Sequence, residues 1–209
     1  MNKNYHIIFE ENYLKNENFG QRDSSHLTWS FKPLNNFDFK FGGKLQNGLN
    51  RLISFDNFFG EDIGLNNKSF AINFEDFFNA QLNQKNLYYH HLDNDIIKPL
   101  HKINIENRYS NYPLKETKIK IALTPKEFLN QDWEGNLNRI GENPIWVQTP
   151  ESLHCPLCER EMSFIFQLDS GLPDLNQKNN YEIMFGNDGV CYAFWCIKDK
   201  ISGYLWQST

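Results

Sequence analysis

Apolar and polar positions along this chain alternate in short bursts, and their period is that of strands more often than of helices. Phe37-Asp38-Phe39-Lys40-Phe41 alternates strictly and ends at Gly42-Gly43. Side chains two apart share one face of a strand, so this run predicts a strand with three Phe on its buried face. Residues 5–9, 27–31 and 118–123 have the same character, and so do 144–147, 162–168, 181–185, 190–196 and 204–207. Helical spacing occurs twice. Phe74, Phe77, Phe78 and Leu82 fall on one face of a helix within 74–87, and Thr124-Pro125 has the form of a cap and first position opening a short helix through Leu129. Residues 169–180, with Gly171, Pro173 and several Asn, read as an inserted loop. The pattern predicts one α+β domain over 1–209, β-rich, with mixed or antiparallel sheets and a few short helices. Its N-terminal half, 1–137, is weakly marked, whereas 138–209 carries all four Cys.

Composition sharpens this in two ways. Aromatic residues make up 15% of the chain and 18 are Phe, which favours pleated, half-buried surfaces. Asn is roughly one residue in seven, a bias that with abundant Lys, Ile and Phe fits an AT-rich bacterial genome. The net charge of −5 comes without a basic stripe, which argues against nucleic-acid binding. No run has the length to span a bilayer and Met1-Asn2-Lys3-Asn4-Tyr5 has no signal-peptide character, so a cytoplasmic location is expected. In a reducing compartment four Cys serve as ligands or as buried thiols rather than as disulfides.

Cys155-Pro156-Leu157-Cys158 has the spacing with which two thiolates clamp one zinc ion from a tight turn, and Cys196 ends an apolar strand where a third ligand fits. Three residues compete for the fourth position. Cys191 is five residues before Cys196, which in a regular strand points it to the opposite face; His154 adjoins the turn; Asp199 follows Cys196 at the same two-residue spacing. The same residues also fit unmetallated thiols packed as small hydrophobes. A redox dithiol fits least, because a strand follows the pair instead of a helix N-terminus.

A series of blocks then carries a resemblance. Ile140-Gly141-Glu142-Asn143-Pro144-Ile145-Trp146-Val147-Gln148 leads to the Cys pair, followed by Met162-Ser163-Phe164-Ile165-Phe166-Gln167-Leu168, Phe185-Gly186-Asn187-Asp188-Gly189, Tyr192-Ala193-Phe194-Trp195-Cys196 and Trp206-Gln207. Over about residues 138–207 this resembles the C-terminal half of the bacterial YwqG-like family of unknown function, itself similar to the programmed-cell-death-2 proteins that chaperone a ribosomal protein. The resemblance implies a β-rich domain that binds a protein or peptide in a cleft, with no known catalysis and, among bacterial members, a suspected role as immunity proteins. The chain departs from the family pattern at Glu142, where a second glycine is usual, and in Ile197-Lys198-Asp199-Lys200, where a second Cys often follows.

Trp146 and Gln148, Gln167, and Trp206 and Gln207 pair aromatics with amides in three predicted strands. They fit a groove whose amides bond an extended peptide, or else core aromatics with amides satisfying strand ends. Other polar groupings carry less. Tyr88-Tyr89-His90-His91 and His101 lack a metalloprotease spacing, Ser24-Ser25-His26 has no nucleophile elbow, and Gly42-Gly43-Lys44 is not a phosphate loop. The expected function is therefore a non-catalytic protein-binding domain: an immunity protein for a cognate toxin, or a chaperone-like module for a client peptide. A zinc enzyme is the third class, and it requires an open metal position.

Overall fold

The computed structural model describes residues 3–9, 34, 39–56, 59, 61–92, 96–100, 116–124, 137–141, 143–170, 185 and 189–208. The strand expected at 27–31, the helix after Thr124, the 171–180 loop, residues 181–184, His101, Ser24-Ser25-His26 and Glu142 lie outside them.

Eleven strands form one sheet: β1 (Tyr5–Phe9), β2 (Phe39–Phe41), β3 (Asn50–Ser54), β4 (Ser69–Ile72), β5 (Leu87–His91), β6 (Ile97–Pro99), β7 (Thr117–Leu123), β8 (Arg139–Ile140), β9 (Ser163–Asp169), β10 (Val190–Cys196) and β11 (Ile201–Gln207). The order across the sheet is β4-β3-β2-β7-β1-β8-β9-β10-β11-β5-β6. Every pairing between these strands is antiparallel. Strands from both sides of residue 138 interleave, since β1 pairs with β8 and β5 with β11. The fold is thus more β than expected. A single sheet replaces several, and the described residues hold one α-helix, α1 (Phe74–Leu82), with one 3-10 turn at Glu61–Ile63.

Helix α1 starts where Asn73 accepts a bond from the Glu75 amide, and it stops at Asn83. It is shorter than the apolar spacing suggested, because Leu87 already belongs to β5. Residues 144–147, expected as a strand, pair with no neighbour and instead cross the sheet as a strap. Among the described residues no helix is long and apolar enough to cross a membrane.

Right-handed twist curls a wide sheet, and this one curls until its ends nearly meet. Ala71 of β4 accepts from Tyr204 Oη of β11, Tyr89 Oη of β5 accepts from the Asn73 amide, and Asn47 Nδ2 reaches Ile97 O of β6. Alternation then sorts side chains into two compartments. The inner one is a large aromatic core, with Phe70 in ring contact with Phe55, Phe166, Trp195 and Tyr204. The outer one is a smaller cluster of Val190, Tyr192, Phe194, Cys196, Ile201 and Leu205 beneath residues 145–162. Covered on both faces, β10 is buried at every position, which explains its unbroken apolar sequence.

Candidate metal centre

Two β-turns on the outer face meet at the thiols. The first closes the hairpin 153–162: Met162 N donates to Leu153 O, Cys155 N to Arg160 O and Glu159 N to Cys155 O, with Glu159 left-handed at φ 58°. The hairpin lies flat on β11 because Gly203 has no side chain; a Cβ there would sit 2.6 Å from Leu153 Cδ2 and 3.2 Å from the Met162 sulfur. The second turn joins β10 to β11, pairing Cys196 with Ile201 and carrying Asp199.

Cys155, Cys158, Cys196 and Asp199 each present one donor atom, and all four lie within 4.8 Å of one another. Cys158 Sγ is 3.7 Å from Cys196 Sγ, and Asp199 Oδ2 is 3.2 Å from Cys155 Sγ and 3.5 Å from Cys196 Sγ. Tetrahedral zinc with bonds of about 2.3 Å to sulfur and 2.0 Å to oxygen requires edges of about 3.8 Å and about 3.5 Å. The group therefore has the dimensions to hold one such ion. All four cysteines are free thiols.

Burial alone favours the neutral form of two of these thiols. Burial raises the Cys155 thiol above its ordinary pKa, against the backbone amides of Cys158 and Leu157, which favour its thiolate. Burial likewise pushes Cys196 up to about 12, opposed by the Asp199 amide. Asp199 is held below the usual carboxylate range by the thiol of Cys158 first and that of Cys155 next.

Two of the three residues considered for the fourth position are not in the group. Cys191 is corrected: an odd separation from Cys196 along β10 turns it inward, where it is fully buried in the aromatic core. Its thiol stays protonated there, since burial lifts its pKa far above the ordinary range. His154 is an exposed residue opposite Glu161 on the hairpin and does not join the cluster. Asp199 takes the place, on the same two-residue spacing as the first pair.

The aromatic and amide residues expected either to line a groove or to satisfy strand ends contact the chain itself. Gln167 is fully buried; its Oε1 accepts from Ile145 N at 2.7 Å and its Nε2 donates to Ile145 O at 3.4 Å. Tyr192 Oη accepts from Val147 N and donates to Ile145 O. Gln207 Oε1 accepts from Gln148 N, while its Nε2 donates to Thr149 O and Glu151 Oε1. The Gln148 side chain donates to Ser208 O. Trp146 stacks on Tyr192 with centroids 4.6 Å apart, and Trp206 packs edge-on against Phe77 of α1. Three adjacent strands thus grip an extended backbone, but that backbone is residues 145–149. The signal missed in the sequence was Tyr192, whose hydroxyl completes the row. No family model, no curated protein and no solved structure matches this chain.

Proposed function

We propose that this chain is a non-catalytic protein-binding domain of the YwqG-like kind whose outer turns are pinned by one zinc ion, and that it serves as an immunity protein neutralising a cognate toxin. The observation that carries the reading is the Cys155, Cys158, Cys196 and Asp199 group. Four protein ligands fill a tetrahedron and leave no position for water or substrate, the pattern of a structural rather than a catalytic ion. Zinc there would tie the 153–162 hairpin to the β10–β11 turn and fix the surface between them. Leu157 and Ile197, one on each turn, are 58% and 57% exposed, so the pinned tip presents two apolar anchors. A net charge of −5 favours a basic partner and speeds its encounter.

Two measurements test this. Elemental analysis of protein made in zinc-supplemented medium should give one zinc per chain, lost in Cys158→Ser and reduced in Asp199→Asn but kept in Cys191→Ala. Chelation should lower Tm, and metal-free protein from that medium would end the structural-zinc part. Co-expression with the products of neighbouring genes should yield a stable complex that Leu157→Asp together with Ile197→Asp disrupts. Absence of any such complex would end the immunity part. The chaperone-like alternative is supported by the grip of Gln167, Tyr192 and Gln207 on extended backbone. It predicts binding on a peptide array by a chain whose strap has been displaced.

A further inference from the structure

Among the described residues of the outer face, Arg139 carries a charge that no hydrogen bond balances. Arg139 of β8 is 1% exposed, and its Nε, Nη1 and Nη2 have no hydrogen-bond partner. Register sets it between His6 of β1 and Gln167 of β9. The Gln167 amide is already committed to Ile145, so its oxygen does not serve the guanidinium. Asp169, two residues along β9 on the same face, is a described carboxylate in that neighbourhood and makes no bond to Arg139. Burial lowers the Arg139 pKa only to about 10, so at neutral pH the group is still a cation.

A guanidinium has five N–H donors and no acceptor of its own. Burying it unpaired gives up its hydration for nothing, a cost that rivals the whole stability of an ordinary domain. An apolar side chain of similar length would avoid that cost while covering the same surface. We infer that Arg139 anchors a carboxylate-binding site on the outer face, its planar fork holding both oxygens of one carboxylate supplied by a ligand or a partner chain. The class follows from charge and shape: one guanidinium balances one carboxylate and matches it in bidentate geometry, whereas a phosphate near −2 would leave surplus buried negative charge. The site stands on Arg139 alone and does not depend on zinc in the neighbouring turns.

Acetate and formate, small enough to reach a covered group, are the probes. With the full chain at constant ionic strength and chloride as reference, saturating acetate should raise Tm by about 2–4 °C. It should also shift the Arg139 Nε–Hε resonance, and phosphate should do less. Arg139→Met should lose the acetate response while remaining at least as stable as the wild type without acetate. A short peptide with a free C-terminal carboxylate, compared with its amidated twin, separates a partner's carboxylate from that of a small acid. Equal stabilisation by chloride, a stronger response to phosphate, or an unmoved Arg139 resonance would overturn the inference. So would an Asp169→Asn variant that loses as much stability as Arg139→Met while acetate leaves the wild type unchanged, since the counterion would then lie within the chain. The resonance is read on the wild type, so it decides even where Arg139→Met does not fold.

Discussion

The two faces of this sheet are held in different ways. On the inner face, ring packs against ring: Phe39 meets Phe55 and Phe59, and Phe70 meets Phe55, Phe166, Trp195 and Tyr204 as well as His91. This is non-directional burial, worth much per residue and tolerant of the exact partner. On the outer face the strap and the hairpin are fastened at points, by Gln167, Tyr192 and Gln207 on backbone groups and by three thiols with a carboxylate. Directional contacts of this kind add less net stability but specify one geometry. The lesson is that the inner face keeps the protein folded, while the outer face keeps a particular surface in shape.

Substitutions and conditions should separate the two. The largest effect is expected from Phe70→Ala, which empties the centre of the inner core and should cost about 3–5 kcal/mol in denaturant unfolding. Protein that still folds should take up zinc at the proposed Cys155, Cys158, Cys196 and Asp199 site as the wild type does, and uptake lost in parallel with stability would erase the distinction. Acid comes next. His91 packs against the Phe70 and Trp195 rings with Nε2 2.8 Å from Ser202 Oγ, and burial first, then Lys68 and His90, hold its pKa down to about 3. The unfolded chain therefore binds this proton first. The contribution is complete above about pH 6.5 and falls as the pH drops toward 3, by about 2 kcal/mol at pH 5. His91→Gln should flatten that slope in pH-dependent unfolding, and an unchanged slope would place the acid sensitivity elsewhere.

Gln167→Leu acts on the outer face alone. It strands the Ile145 amide and should cost about 1–3 kcal/mol, with faster hydrogen exchange in residues 145–149 and slow exchange retained in β4. The smallest effect belongs to Glu116, which sits outside both compartments. Arg51 at 2.7 Å and Lys40 at 3.0 Å hold its carboxylate below its usual pKa. The ion pairs are exposed, so Glu116→Gln should cost about 0.2–1 kcal/mol and less in high salt. A larger loss would mean that this edge contributes to the inner core.

Much of the frame could be read from period alone. Residues 5–9, 118–123 and 190–196 were legible as strands because each presents a consistent alternation or an unbroken apolar run, and Phe74 to Leu82 as a helix because its apolar face repeats at 3.6 residues. Asn50–Ser54 and Ser69–Ile72 were not, since each is short and its pattern is broken, in β3 by the irregular pairing between Arg51 and Ile53. Three of the four donor residues in the candidate metal centre followed from spacing. Parity along β10 argued against Cys191, and choosing among the remaining candidates required knowing that the β10–β11 turn folds back over the hairpin. The amides of Gln167 and Gln207 were recognisable as binders of extended backbone. That the backbone belongs to the same molecule is a long-range fact, set by the chain turning at Gly141, where φ is 151° and a side chain would strike Asn4.

The position of β1 has a consequence for how the molecule is made. β1 lies in the middle of the sheet, with Tyr5 opposite Leu123 on one side and Ile140 on the other. It has no ladder to join until β7 has been synthesised, and β5, paired locally with β6, must wait for β11 on its other side. Pairings this distant in sequence make for slow closure. Vectorial synthesis therefore leaves the local pairings β2–β3, β3–β4 and β5–β6 free to form early, while the joins that close the sheet come late.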